Sequence, residues 1–494
     1  MKNNRLFLLA LLSSSLLYSE VINVEKASLR TSFESVEISP TEEMGLLGLN
    51  YLLEPNDNFY YGLGLYGAMS GERGGFFVGG LTAGLKYEVL ENIYLDAGLF
   101  AGGGGGASAG QGGGLMLKSY LGGLYQFDNY SLGLNYSYIT FPNGEIDSSQ
   151  FSLVADMSFE TICVEDNIDF SLFKNYNFSQ NRDYIVATYQ AYKPKEGVKT
   201  RSQTRLQDDV MLVGIEYGSY VSENFIAYFE SAGAMKGATG YMEVLGGVAY
   251  SAKIIDSVNA QAKLSFGGAG GGEVDTGGGA VTKASLNLNI LPTKALNIGL
   301  GAGYYYSLDG TFEATFAKLD LGINTNFLSL SDTKSDFDYS SISSQKFNIR
   351  VTNQTYIYSD TLSTNPTHTD NVQLIGIQLD WFLTDGLYMS GQAFGAYKGE
   401  AGGYVSGMFG AGYIQPLFFD ISGVAELSIG AGGGGSINSG GGNILQPMAG
   451  LMYDINREVS LELLLGKLIS LNGELETNIA NLSFVYKFNK LVLK

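Results

Sequence analysis

Apolar and polar residues alternate along most of the chain after residue 20. A period of two places successive side chains on opposite faces of a β-strand, so each such segment has one apolar and one polar face. The alternation is clearest in residues 151–159, 213–217, 319–324 and 375–381. Helical periodicity is absent, and no apolar run after residue 20 reaches the ~20 residues that a membrane-spanning helix needs. The sequence therefore predicts an all-β, antiparallel protein.

Composition narrows the class of protein further. The 494 residues include 68 Gly, 33 Tyr and 28 Phe but only 8 Pro, and 45% of them are hydrophobic. So much apolar and aromatic surface excludes a disordered chain. One His and one Cys cannot supply a zinc site, a disulfide framework or a repeated Ser/His/Asp arrangement. We therefore expect no enzymatic activity, no catalytic residues, no metal site and no cofactor.

Residues 1–19 have the layout of a secretory signal peptide. Lys2 and Arg5 precede an apolar run over residues 6–17, and small or polar residues follow it. With 29 basic and 49 acidic residues the formal net charge is −20, and no basic patch is visible. Phosphate binding needs such a patch, so nucleic acid is excluded as a partner. We expect an exported protein.

The chain contains an internal repeat. Three glycine-rich segments recur, and their second glycine triplets begin at Gly112, Gly277 and Gly440, which are 165 and 163 residues apart. Flanking motifs recur in the same order, as in GAMSG at 67–71 and GAMKG at 233–237. Order and spacing together indicate a threefold duplication. The predicted organisation is a signal peptide in 1–19, repeats in 20–159, 184–327 and 347–494, and connectors in 160–183 and 328–346.

Each repeat accommodates eight strands. Short polar turns alternate with longer connections, so the short turns gather at one end of the unit and the long loops at the other. Such asymmetry suits a membrane barrel with short periplasmic turns and longer external loops. In the middle repeat the predicted strands begin near Ile185, Val210, Phe225, Tyr241, Val258, Ala280, Ala295 and Phe312.

Signal peptide, alternating strands, abundant Tyr and Phe, acidity and the near absence of Cys together resemble the outer-membrane β-barrel proteins of Gram-negative bacteria, broadly porin-like. The last strand, in 482–488, has the amphipathic character of that family. The resemblance implies a cell outer-membrane location, contact with lipid and insertion by the barrel-assembly machinery. Independently, strands can enter a bilayer only as a closed barrel, because every backbone donor and acceptor needs a partner within the protein. A soluble repetitive β-adhesin would show the same alternation and is the alternative.

The repeat leaves two ways to close the sheet. Three units of eight strands give an even number within the known range, so one barrel of about 24 strands is the first expectation. The connectors 160–183 and 328–346 are longer than a periplasmic turn requires, and they could link three tandem eight-stranded barrels or fold inside one large lumen. A 24-stranded barrel without a plug would be very open.

Acidic residues on the polar faces of the strands are the candidates for lining a lumen. Their shared sign favours cations, so the predicted function is passive, cation-preferring diffusion of ions and small solutes through an outer-membrane channel. The alternative is a structural or adhesive surface-exposed barrel with a blocked lumen. The candidate lumen-lining residues are Asp156, Glu216, Glu230, Asp320, Asp380 and Glu426.

The glycine runs have two interpretations. In the first, which we favour, each pair of runs flanks a hairpin tip, where glycine permits strong twist or bulges. In the second, three related hairpins converge around a pseudo-threefold axis, where they narrow a pore or offer a smooth backbone surface to another chain segment. The candidate residues for this constriction are Gly104, Gly105, Gly112, Gly270, Gly271, Gly277, Gly433, Gly434 and Gly440.

Overall fold

The computed structural model describes residues 22–164, 177–204, 206, 208–331 and 341–493. The predicted signal peptide in 1–19 lies outside the described residues, as do parts of both predicted connectors. The described chain folds into antiparallel β-structure, with strands that alternate in burial along their length. No helix among the described residues is long and apolar enough to cross a membrane.

The first eight strands form a ring, because each pairs with the next and the last pairs with the first. β8 closes on β1 over a register that runs from Ile22↔Val164 to Glu34↔Ser152. The strands of this first ring are β1 (Ile22–Ser39), β2 (Glu42–Asn56), β3 (Phe59–Ser70), β4 (Phe77–Leu90), β5 (Ile93–Gly105), β6 (Leu115–Phe127), β7 (Tyr130–Thr140) and β8 (Asp147–Val164).

The second ring is a closed barrel in which β17 pairs with β10. Its strands begin within two residues of the eight predicted starts, which confirms that part of the prediction. They are β10 (Asp183–Pro194), β11 (Val210–Tyr220), β12 (Phe225–Lys236), β13 (Met242–Ile255), β14 (Val258–Gly270), β15 (Ala280–Ile290), β16 (Leu296–Ser307) and β17 (Glu313–Thr325).

The third ring closes where β26 pairs with both β25 and β19. A single pairing, Asn489↔Val164, joins it to the first ring. Its strands are β19 (Ile342–Tyr356), β20 (Val372–Phe382), β21 (Leu387–Lys398), β22 (Val405–Phe418), β23 (Ile421–Gly433), β24 (Asn443–Asp454), β25 (Val459–Ser470) and β26 (Glu476–Leu493).

The expectation of one 24-stranded barrel is wrong. In such a barrel β8 and β17 would pair with strands of the following unit, but each returns to the first strand of its own set. Eight strands enclose an interior that side chains can fill, whereas 24 would leave a wide opening. The connectors contribute two short strands, β9 (Phe178–Gln180) and β18 (Leu328–Leu330), which pair with each other.

Two rims follow from the chain direction. The short-turn rim is the end at which β1, β10 and β19 begin, and the glycine rim is the opposite end, which carries the glycine-rich loops 106–114, 271–279 and 434–442. At the short-turn rim Phe178 and Leu328, from β9 and β18, pack against the ends of the first and third rings.

The polarity of the strands is inverted relative to a water-soluble barrel. Along β7, Leu132 and Leu134 point outward and are 55% and 48% exposed, whereas Ser131 and Asn135 on either side of them are buried. In β17, Leu321 is exposed and its neighbour Asp320 is buried. Apolar side chains therefore cover the outer surface, and polar ones fill the interior.

Apolar residues close each ring towards the glycine rim. Phe76 from the loop between β3 and β4, and Phe141 and Ile146 from the loop between β7 and β8, pack onto inward side chains of the first ring in one buried cluster. Equivalent clusters contain Tyr241 and Phe312 in the second ring, and the third ring has one of its own. The loops at this rim thus fold over the barrel mouths, because they can bury their apolar side chains there.

Candidate functional site

All six acidic residues that the sequence proposes as lumen-lining point into ring interiors and are buried. None faces an open acidic channel, because each lies within 4 Å of a buried Arg or Lys. The interior of each ring therefore contains a network of ion pairs rather than a free acidic surface.

In the first ring, Arg30 on β1 is the centre of the network. Its Nε and Nη2 donate to the two carboxylate oxygens of Asp156, each at 2.8 Å. Its Nη1 donates to Asp96 at 3.0 Å, and Asp96 also accepts from the Tyr60 hydroxyl at 2.7 Å. The planar guanidinium suits this bidentate arrangement, which fixes the position of Asp156.

In the second ring, lysines and glutamates alternate in a chain across the interior. Lys318 donates to both Glu216 and Glu230, and its Nζ lies 2.8 Å from Glu230. Lys283 likewise contacts Glu230, and it contacts Glu243 at 2.9 Å. At the end of this alternating series, Lys263 forms an ion pair with Glu216. Asp320 lies 3.4 Å from Lys318. Each inner carboxylate of this chain, Glu216 and Glu230, has two cationic partners.

Among the described residues of the third ring, a single cation, Arg350, lies close to three carboxylates. The Arg350 Nε donates to Asp380 at 2.8 Å, and its Nη1 donates to both oxygens of Glu462 at 2.7 and 2.9 Å. Glu426 is 3.6 Å from Arg350 and accepts from the Tyr388 hydroxyl at 2.8 Å. The group formed by Arg350 and these three carboxylates carries a formal excess of negative charge.

The ring interiors are filled by these side chains. A space beside the first network has a volume of about 10 Å³ and lies next to Arg30 and Lys118, which is room for roughly one water molecule. Arg350 is 1% exposed in the third ring and Glu216 is 0% exposed in the second. A solute could cross a ring only if its ion pairs separated and the apolar residues at the glycine rim moved.

The predicted constriction glycines lie where the rings meet. The Gly74 amide of the first ring donates to the Gly277 carbonyl of the second at 3.0 Å, and the Gly403 amide of the third donates to the Gly104 carbonyl of the first at 3.0 Å. Between the second and third rings, the Thr239 hydroxyl donates to the Gly440 carbonyl at 3.0 Å. We call these three contact regions the glycine seams.

Close approach of backbones explains why the seams need glycine. A Cβ at Gly75 would lie 2.3 Å from the amide nitrogen of Gly271, and one at Gly433 would lie 2.6 Å from that of Gly240. Gly75 also has a φ of +91°, which an L side chain disfavours. The surface that the glycine loops offer is thus covered by another loop of the same chain.

Members of all three runs take part in the seams. In the first ring, a Cβ at Gly105 would lie 2.4 Å from the Gln111 side chain. The Gln111 side-chain amide in turn donates to the Gly402 carbonyl of the third ring at 3.1 Å. A Cβ at Gly270 would lie 2.4 Å from the Gly75 amide nitrogen, and one at Gly240 would lie 3.2 Å from that of Gly434. A Cβ at Gly402 would lie 2.1 Å from the Gly112 carbonyl oxygen.

No protein-family model matches the chain, and no curated protein matches it. Solved structures with some similarity include a mutant ferric enterobactin receptor, PfeA, of Pseudomonas aeruginosa (9% identity, TM-score 0.27, covering 94% of this chain and 80% of that one). OccAB3 of Acinetobacter baumannii has 11% identity and a TM-score of 0.22, and covers 94% and 99% of the two chains. OccK2 of P. aeruginosa, in complex with glucuronate, has 10% identity and a TM-score of 0.22, and covers 95% and 98%. These TM-scores are too low for the strand arrangement or the activity of any of them to be transferred to this chain.

Sequence reasoning missed the cations of the networks. Arg30, Lys263, Lys283, Lys318 and Arg350 all occupy inward positions of alternating strands. The same alternation that indicated the acids contained a signal for them, since Lys318 is two residues from Asp320 and must share its face. Their exact partners depend on which strands close the ring.

Proposed function

We propose that this chain is an exported protein of the Gram-negative outer membrane, in which three filled barrels form a structural, surface-exposed assembly. The observation that carries the proposal is the inverted polarity of the strands. Outward leucines such as Leu132, Leu286 and Leu321 are 55% or more exposed, while charged side chains lie inside. A bilayer accommodates that outer surface, and closed rings satisfy the backbone groups within it.

Strand length and aromatic residues support membrane insertion. The ring strands contain 11 to 18 residues, and a tilted strand needs about 9–11 to cross the hydrocarbon core. Exposed aromatics occur towards both ends of the outer surface, with Tyr125 and Tyr130 towards the short-turn rim and Tyr138 and Tyr304 towards the glycine rim. In an outer membrane, the short turns would face the periplasm and the glycine rim would face outward.

A folding experiment tests the membrane proposal. The mature chain, unfolded in urea, is diluted into buffer alone or into phospholipid vesicles, and folding is followed by circular dichroism and by flotation with the vesicles. We expect β-structure and co-flotation only when vesicles are present. A monomeric, soluble, folded protein in buffer alone would contradict the proposal and favour the soluble β-adhesin.

The filled interiors favour a structural or adhesive role over free diffusion. In planar bilayers we expect the wild-type protein to give no stable conductance steps, because the ion pairs of all three rings block the interior. An unrelated open porin, inserted under the same conditions, is the control for successful reconstitution. Steady conductance in the wild type would contradict a blocked lumen.

A second candidate function is a cation-preferring channel that conducts when a network opens. The excess of carboxylates around Arg350 supports it, because an opened third ring would present Asp380, Glu426 and Glu462 to a passing ion. A salt gradient across the bilayer tests this candidate through the reversal potential. We expect any current to favour cations and the preference to weaken in Glu426→Gln; anion preference would reject it.

A further inference from the structure

The three rings enclose a space that none of the ring interiors contains. The third and fifth strands of each ring contact its neighbours: Gly268 on β14 approaches Ala68 on β3, and Gly395 on β21 approaches Gly103 on β5. On β12, a Cβ at Gly233 would lie 3.8 Å from that of Ala431 on β23. These three contacts form a cycle, so the fourth strand of each ring lies between two contacts and faces the enclosed space. We call this space, bounded by β4, β13 and β22, the axial space.

The side chains that face the axial space are small or apolar. Gly79 on β4 and Gly246 on β13 have no atom within 4 Å of an added Cβ. Val248 is 58% exposed, so its side chain is not covered by any neighbouring ring. The outward residues at the middle of the three strands are Leu81, Ala83, Gly246, Val248, Phe409 and Ala411.

A groove on the outer surface of the second ring lies beside the axial space. It holds about 390 Å³ and is lined mainly by Gly246, Val248, Leu264 and Phe266, with Gly247, Ser265 and the Thr282 side chain on β15 completing the lining. The groove adjoins the contact between the first and second rings, since Gly268 follows Phe266 by two residues on β14. Its lining is predominantly apolar.

The two ends of the axial space differ. At the glycine rim the seams bring backbone against backbone. At the short-turn rim the tips of the three axial hairpins carry exposed apolar residues: Leu90 is 66% exposed, Ile255 58% and Phe419 97%. Exposed apolar residues also occur in other turns at that rim, such as Val221 at 69% and Leu383 at 54%. Apolar surface therefore continues from the axial space to the short-turn rim.

We propose that the axial space binds the acyl chains of a membrane phospholipid, which enters from the short-turn rim. The inference rests on the membrane location proposed above. The lining has the same chemistry as the outer surface of the rings, with which it is continuous at the hairpin tips. Water would lack hydrogen-bond partners along it, and a peptide segment would leave its backbone groups unpaired. An acyl chain has no hydrogen-bonding groups that need partners, so it can occupy this apolar lining.

Native mass spectrometry of the full mature protein, purified from vesicles of phosphatidylethanolamine and phosphatidylglycerol into detergent, tests the site. The variant Gly246→Phe fills the groove, and its Cβ meets nothing within 4 Å, so the backbone can accept it. The matched control is Ala317→Phe, at an exposed outward position on β17, which is the eighth strand of the same ring and lies opposite β13. We expect wild type and Ala317→Phe to retain phospholipid and Gly246→Phe to lose it several-fold.

Equal lipid retention in all three proteins, or none in the wild type, would overturn the axial site. Flotation of the same proteins with vesicles separates this outcome from failure of the membrane location: proteins that float but retain no lipid refute only the axial site, whereas proteins that do not float refute the proposed function.

A spin label provides a second measurement that does not depend on purification. The label is attached at Ala411→Cys on β22 in a Cys163→Ser background, because Ala411 is exposed to the axial space. In vesicles we expect the label to collide with oxygen more often than with a water-soluble nickel chelate, as it does among acyl chains. The reverse order would show a water-filled space, and protection from both reagents would show a protein segment; either result overturns the proposal.

Discussion

The second and third rings have the same number of strands but fill their interiors with different charges. On the first strand of the third ring, Arg350 pairs across from Gln378, and Arg350 alone holds three carboxylates. At the matching place of the second ring Val186 pairs with Glu216, and three lysines supply the positive charge. One guanidinium binds several oxygens through its planar set of donors, whereas each ammonium acts as a compact charge.

This difference shows that two rings with the same number of strands can hold different sets of charged side chains in their interiors. The third ring concentrates its pairing in one residue, so the network depends on that residue. The second ring distributes its pairing along an alternating chain, where Glu230 keeps one lysine if another is removed.

Arg350→Met is expected to cause the largest loss in the free energy of unfolding. It leaves Asp380 and Glu462 buried without their cation, and breaking a buried pair by removing one partner costs about 3–5 kcal/mol. Urea unfolding in detergent micelles, with hydrogen exchange measured on β19–β26, checks the loss and its location. Arg350→Lys is the control and should recover only part of it, because lysine lacks the bidentate geometry. A loss below about 1 kcal/mol would contradict the central role of Arg350.

A smaller effect is expected from Lys283→Met in the second ring. Lys318 still neutralises Glu230, and Glu243 keeps the Tyr192 hydroxyl at 2.9 Å. We expect a loss of about 1–3 kcal/mol, the range for a buried polar group that loses one partner. The same unfolding measurement applies, with hydrogen exchange on β10–β17. A larger loss than that of Arg350→Met would reverse the contrast between the rings.

The glycine seams allow backbone crowding to be separated from backbone strain. Gly75 and Gly197 both have a φ of +91°, but a Cβ at Gly75 would meet the Gly271 nitrogen at 2.3 Å and one at Gly197 would meet nothing within 4 Å. Gly197→Ala should cost about 1–2 kcal/mol from its left-handed backbone alone. Gly75→Ala should cost about 1–3 kcal/mol more, from overpacking of the seam. Equal unfolding free energies for the two variants would show that the seam is not tightly packed.

The smallest change in the free energy of unfolding is expected for the ion pair between Arg73 and Glu42 at the glycine rim. The Arg73 Nε lies 2.6 Å from Glu42, and this guanidinium lowers the pKa of the Glu42 carboxyl. Both side chains are partly exposed to solvent at the rim, so Glu42→Gln should change stability by about 0–1 kcal/mol. Because the folded pKa is the lower one, the contribution is present at neutral pH and is lost as the pH falls through that folded value. A difference between variant and wild type that persists below this pKa would contradict an ionic origin.

Much of the local structure could be predicted from the sequence. The alternation placed Asp156, Glu216 and Glu426 on inward faces, and the turn residues located the strands of the second ring within two residues. The identity of their partners could not be predicted, because Arg30 and Asp156 are 126 residues apart and meet only when β1 pairs with β8. The predicted threefold duplication and the cation preference stay predictions.

The sequence by itself determined the strands, their two faces and the eight-strand content of the middle unit, because side-chain alternation and turn chemistry are local properties. Only the tertiary structure decided that β8, β17 and β26 return to the first strand of their own ring. A strand edge offers the same hydrogen-bonding groups to any partner, so the choice depends on what the closed interior can hold. Here the interiors hold paired charges under apolar loops, and the glycine runs hold the three rings together.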